Sequence, residues 1–170
     1  MNSSQSENFS KNRGRGVAVG WYGIARTATI DRAGAWAELD DGGTCKIVTG
    51  VTEIGEGILT VLAQIAADEL GIRPEDVTIG DNDTARSPEA AHAGATRQTY
   101  MIGNAVALAC REVRQLLEKE IAKHWRVSVE ELECQNRIVY TKDLRLQMPM
   151  SEAVELVKGL GVIPVGSGSF

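Results

Sequence analysis

Two stretches of the chain hold residues whose types and spacing could do chemistry. The first, Thr49-Gly50-Val51-Thr52-Glu53-Ile54-Gly55-Glu56-Gly57, sets three glycines and two carboxylates between an apolar run and the start of a helical pattern. Glycines at a strand-to-helix junction allow positive φ and close backbone approach, and a helix starting there aims its unpaired N–H groups into the turn. Such a turn suits an anionic or oxygen-rich group, and it suits a plain chain reversal as well. The second stretch is the small-residue loop Asp81 to Gly94, which runs into Ala95-Thr96-Arg97-Gln98-Thr99 at the opening of another helical pattern. A connection of that length inside a compact domain is more often a binding loop than padding. Neither stretch ends in the Gly-Lys-Ser/Thr of a P-loop, so a nucleotide-binding reading ranks last.

Each residue also has a plainer reading. Glu56 is either a ligand neighbour or a first-turn helix carboxylate favoured by the dipole. Arg97, beside Thr96 at a helix start, reads as a phosphate contact in preference to a solvated side chain. Glu53 belongs either to a ligand site or to a pairing within its own turn. His92 lies in the loop, where an exposed histidine is the common case, and His124 is placed to meet the negative end of a helix. Trp21, Tyr22 and Trp36 fit core or sheet-face packing, and Arg111 to Lys123 fits a solvated helix face.

Around these stretches the chain has the patterns of a mixed fold. Arg15 to Thr27 is β-prone and punctuated by glycine, and Ala33 to Asp40 alternates Ala35, Ala37 and Leu39 against Trp36 and Glu38. Asp41-Gly42-Gly43 supplies a hairpin turn into a third strand, Cys45 to Thr49, so three antiparallel strands are expected before the glycine turn. A helix from Glu56 or Gly57 then buries Ile58, Leu62, Ile65, Ala66 and Leu70 and stops at Gly71 as its C′ residue, with a short strand over Asp76 to Gly80. A second, longer helix opening at Ala95 turns Val106, Ala109, Val113, Leu116, Leu117 and Ile121 inward. Ser128 to Glu131 has the form of a capping box, Leu132 to Gln135 and Arg137 to Thr141 form a hairpin about Asn136, and Ser151 caps a last helix through Lys158. The expected class is α+β, a two-layer sandwich of a mainly antiparallel sheet with two principal helices packed on it. Residues 1–14 are expected as a disordered leader, and the tail Gly159 to Phe170 is Gly-rich.

Composition narrows the function classes. At 170 residues, with 43% hydrophobic and 24% charged, the chain suits one globular domain or a piece of one. A net charge of -5 offers no basic footprint, so no nucleic-acid partner is expected. Cys45, Cys110 and Cys134 lie far apart without metal-ligand spacing, which leaves no metal ligands in view and suggests reduced thiols in a cytoplasmic protein. No run reaches transmembrane length, and no membrane partner is expected.

Taken together, Gly20-Trp21-Tyr22-Gly23, the turn from Thr49 to Gly57, Ala63-Gln64-Ile65-Ala66, and Thr96-Arg97-Gln98-Thr99-Tyr100 with Gly103-Asn104-Ala105-Val106 resemble one family. It is the xanthine dehydrogenase/aldehyde oxidase family of molybdenum hydroxylases, at the start of the second half of the molybdopterin-binding domain of the large subunit. The resemblance runs from about Gly16 to Phe170, making 15–170 a partial molybdopterin-binding domain. It implies a molybdopterin or molybdopterin cytosine dinucleotide cofactor, with iron–sulfur clusters and FAD on partner domains or subunits, and hydroxylation of aldehydes or nitrogen heterocycles with water-derived oxygen. By the family pattern Gly55, Glu56 and Gly57 would lie beside the metal and pterin, and Ala95, Thr96, Arg97 and Gln98 would contact the pterin or its phosphate. The family turn usually reads Gly-Gln-Gly. Glu56 in place of the glutamine accepts hydrogen bonds but donates none when ionised, which implies a protonated residue, an altered site or weak cofactor binding.

The family's catalytic glutamate belongs to a downstream stretch that this sequence does not contain, so no catalytic residue is assigned and turnover by this chain alone is not expected. The resemblance therefore implies a domain fragment or split subunit that works with the remaining hydroxylase domains. Its rival is a non-catalytic structural or assembly piece that kept the fold and lost the cofactor. A truncated domain would expose apolar surface, so self-association into a homo-oligomer is expected.

Overall fold

The computed structural model describes residues 14–24, 30–80 and 83–170. The chain is α+β, with two sheets and three α-helices among the described residues. Strand β1 (Gly34–Leu39) buries Ala35, Ala37 and Leu39 and turns Trp36 and Glu38 outward, as the period-two pattern requires. Asp40 closes the turn that follows by accepting from the Thr44 N–H at 2.9 Å and from its hydroxyl at 2.6 Å. Gly43, at φ 70°, completes it, and β2 (Cys45–Val48) returns antiparallel with Leu39 opposite Cys45.

Helix α1 (Ile58–Leu70) carries the chain across to β3 (Val77–Ile79), which lies parallel to β2. Its inward stripe is Ile58, Leu62, Ala66, Ala67 and Leu70, and it ends at Gly71 in the left-handed region. The long helix α2 (Gly103–Trp125) buries Val106, Ala109, Val113, Leu117 and Ile121, with Leu116 half-buried. A second sheet of β4 (Leu132–Gln135), β5 (Ile138–Thr141) and β6 (Gln147–Pro149) is wholly antiparallel and leads into α3 (Met150–Gly159). The β4–β5 turn runs through Asn136 and Arg137, both at positive φ, and Ser128 and Glu131 form the expected capping box before β4.

The main sheet has the order β3-β2-β1-β7, and its last member corrects the expected topology. Of Arg15 to Thr27, the described part forms no strand: residues 14–24 are irregular and all exposed, with Val17 and Trp21 each 98% accessible. Trp21 and Tyr22 are therefore not core residues. Strand propensity there finds no hydrogen-bonding partner among the described residues, which contain two strands rather than three before the glycine turn. The place beside β1 is taken by β7 (Val165–Ser169), drawn from the Gly-rich tail. Gly166 and Gly168 let this strand press onto α2, since a Cβ on Gly168 would sit 1.9 Å from the Ala105 carbonyl oxygen and one on Gly166 2.3 Å from that of Ala109. Just past the strand, Ala33 and Phe170 exchange reciprocal backbone hydrogen bonds of 3.0 Å.

Smaller corrections concern helix starts. Helix α3 begins at Met150 with Pro149 at its N-cap, so Ser151 lies inside the first turn and does not cap it. The second long helix opens with a π turn over Gln98–Ile102, and Ala95 and Thr96 stand outside it. Most of the leader expected over residues 1–14 lies outside the described residues. Among the described residues no helix is long and apolar enough to cross a membrane.

Candidate functional site

The fold brings the two stretches together. Residue 98 lies 46 positions from residue 52, yet the Thr52 N–H donates to Gln98 Oε1 at 3.1 Å. On its other side Gln98 Nε2 donates to Glu56 Oε1 at 2.5 Å, while Glu56 Oε2 accepts from the Ile54 N–H at 3.0 Å. Between the loops is a cleft of about 190 Å³, lined by Ile54 and Glu56 on one side and by residues 93–99 on the other. Gln98 is nearly buried, whereas Glu56 and Thr96 are exposed at the rim.

The glycine turn satisfies its own amides. Glu53 accepts from the N–H groups of Gly55 at 2.7 Å, Gly57 at 3.1 Å and Leu59 at 3.3 Å, so a side chain of the turn caps the start of α1. Gly55 and Gly57 hold φ of 101° and 83°, which lets the turn wrap that carboxylate. Chiefly the Gly57 N–H, followed by those of Gly55 and Leu59, holds the Glu53 carboxyl below the usual carboxylate range. The helix-start role considered for Glu56 thus belongs to Glu53, and the first turn of α1 contains no acidic residue. Glu56 is engaged by Ile54 and Gln98.

The second loop has the opposite character. Ala95 and Thr96 are consecutive residues at φ 48° and 60°, a conformation that strains a β-branched side chain such as threonine. No acceptor among the described residues takes the N–H of either one. With the exposed Thr96 hydroxyl, these amides form a donor set suited to phosphate or pterin oxygen.

Arg97 departs from its alternative reading as a solvated side chain, since it is fully buried. Its Nε donates to Asp31 at 2.6 Å, Nη1 to the Ala90 carbonyl and Nη2 to the Arg32 carbonyl, while its own N–H bonds the Gly94 carbonyl at 2.9 Å. The guanidinium therefore ties the approach to β1 to the loop beneath the cleft, with an acceptor at each of its three nitrogens. His92 is exposed beside Gly94 and does not line the cleft.

Sequence reasoning missed Asp31, Ile54 and Ala93. Ile54 and Ala93 lie within stretches already singled out, whereas nothing local marks Asp31, which became necessary only once Arg97 was buried. A larger cleft of about 450 Å³ lies elsewhere, where Arg114, Glu133, Cys134 and Tyr140 meet the end of α1. Burial pushes the Cys134 thiol up to about 12, far from a reactive thiolate. All three cysteines are free, and among the described residues no group of three or more His, Cys, Asp or Glu could hold a metal ion.

Comparison with known proteins places this geometry among relatives. A family model described as a molybdopterin cofactor-binding domain matches residues 2–168. The chain is 32% identical over 110 residues to aldehyde oxidoreductase of Megalodesulfovibrio gigas, covering 63% of this chain and 12% of that protein. It is 33% identical over 124 residues to a probable xanthine dehydrogenase subunit of Bacillus subtilis, covering 71% of this chain and 16% of that one. Among solved structures, quinoline 2-oxidoreductase from Pseudomonas putida 86 superposes with a TM-score of 0.76 at 22% identity, over 85% of this chain and 19% of that one, a likeness of fold. The chain thus spans about an eighth to a sixth of the length of these two curated relatives.

Proposed function

This chain belongs to the molybdopterin cofactor-binding domain family of xanthine dehydrogenases and aldehyde oxidoreductases, and on that premise we propose that it forms one wall of a molybdenum-cofactor site in a hydroxylase assembled from further domains or subunits. The observation that carries the proposal is that the N–H groups of Ala95 and Thr96 are unengaged among the described residues and that both residues line the cleft shared with Ile54 and Glu56. The N–H groups of Ala95 and Thr96 and the Thr96 hydroxyl would hold pterin or phosphate oxygens, while Glu56, carried on the turn of Gly55 and Gly57, shapes the opposite side. Gln98 joins the two sides, and Arg97 holds the loop in place from beneath.

When bound, the cofactor, as molybdopterin or its cytosine dinucleotide form, supplies hydroxylation of an aldehyde or nitrogen heterocycle with oxygen from water. Iron–sulfur and FAD centres belong, in this reading, to partner domains or subunits in the cytoplasm. The residues of this chain bind and orient.

A second reading has its own observation. The amides of Ile54, Gly55, Gly57 and Leu59 are already bonded to Glu53 and Glu56, so the glycine turn offers a ligand few donors. That fits a structural or assembly piece which retains the fold without the cofactor. Molybdenum and pterin content, measured by mass spectrometry after expression in a host that makes molybdopterin, separates the two. Stoichiometric cofactor with co-expressed partners, reduced at least severalfold by Thr96→Val, supports the cofactor wall. Absence of cofactor both with and without partners supports the structural piece.

A further inference from the structure

We infer that Glu56 is a positioning residue, half of a two-side-chain latch that holds the glycine turn against the second loop and requires one carboxylate and one amide at positions 56 and 98. The latch is a row of three hydrogen bonds, from the Thr52 N–H to Gln98 Oε1, from Gln98 Nε2 to Glu56 Oε1, and from the Ile54 N–H to Glu56 Oε2. Both ends of the row are backbone donors. Each side chain must therefore present an acceptor to its own backbone neighbour, and the contact between them must pair a donor with an acceptor.

Only one composition meets those conditions. A carboxylate accepts at both oxygens and an amide accepts at one end and donates at the other, so a Glu–Gln pair completes the row in either order. Two amides cannot complete it. With glutamine at both positions, one amide nitrogen is left facing either a backbone N–H or the other amide nitrogen. Two carboxylates place like charges in contact. Glu56 is thus matched to Gln98, its partner 42 residues away. The consequence reaches the cleft, because Ile54, Glu56 and Gln98 all line it.

The inference concerns the spacing of the loops and holds whether or not the cofactor reading does, so its test uses the cofactor-free chain. Backbone amide hydrogen exchange of Thr52 and Ile54 is followed by NMR in the parent, E56Q, Q98E and the exchanged pair E56Q/Q98E, with a thermal melt of each as the check on global folding. E56Q is expected to speed exchange severalfold at Thr52 or Ile54, because either one backbone donor loses its acceptor or the two side chains part and the loops separate, with little change in melting. Q98E is expected to speed exchange at both amides and lower the melting temperature. The exchanged pair restores the row: the amide now at position 56 accepts from the Ile54 N–H and donates to the carboxylate now at position 98, which accepts from the Thr52 N–H. It is expected to return both amides to near parental exchange. Should Q98E fail to fold, recovery of a folded chain in the exchanged pair carries the same meaning. Unchanged exchange at both Thr52 and Ile54 in E56Q, or an exchanged pair no better than Q98E alone, would overturn the latch.

Discussion

At the scale of single residues, burial decides what each charged group does. Arg97 has no exposed surface, and its ion-pair partner Asp31 is 8% exposed. Truncating it to alanine removes the guanidinium shared by a buried carboxylate and two carbonyls, and a loss of up to about 3–5 kcal/mol is expected in chemical denaturation. Arg97→Lys should recover little of that loss, since a single ammonium cannot reach three acceptors spread around a fork. Glu53 lies at the surface and acts through its ionised form. Its lowered value means that its contribution is fully present above the ordinary carboxylate range and disappears as pH falls through the folded value. Acidification to below the ordinary carboxylate range should therefore release the N–H groups of Gly55 and Gly57, seen as faster amide exchange, ahead of global unfolding. The glycine turn and the Thr96 to Gln98 stretch were legible because their residue types are informative in one dimension. The pairings of Gln98 with Glu56 and of Arg97 with Asp31 were not, being fixed by contacts 42 and 66 residues apart.

Elements were readable where a local period coincided with a buried face. Strand β1 and helices α1 and α2 follow that rule, and Gly71 ends α1 as its type suggests. The rule fails twice, in opposite directions. Residues 15–24 have strand propensity without a partner, whereas Val165-Gly166-Ser167-Gly168-Ser169 has little propensity and becomes a strand because its glycines fit the small-residue face of α2. That account is checked by a pair of glycine substitutions. Gly168→Ala should force β7 away from Ala105 and lower stability by about 1–3 kcal/mol or more. Gly159→Ala, at the end of α3 with open space where its Cβ would go, should leave stability unchanged or raise it by up to about 1 kcal/mol. Equal effects at the two positions would refute the close-approach explanation.

At the scale of the whole molecule, an apolar arm stands away from the core. Val17, Val19, Trp21 and Tyr22 are all at least 83% accessible. A surface of that kind favours association, and sedimentation equilibrium of the chain should show concentration-dependent self-association that V17E/W21S weakens. A monodisperse monomer at high concentration would contradict it. The family assignment was legible from an ordered series of short motifs, whereas the place of β7 and the exposure of the arm depend on contacts that such motifs do not encode. The reciprocal bonds between Ala33 and Phe170 have an architectural meaning as well. Everything from β1 to β7 is enclosed between two residues that touch, so the two ends of this unit share a single doorway. A unit with one doorway behaves as a cassette: it can be spliced into a longer chain, or exchanged between relatives, without moving the parts on either side.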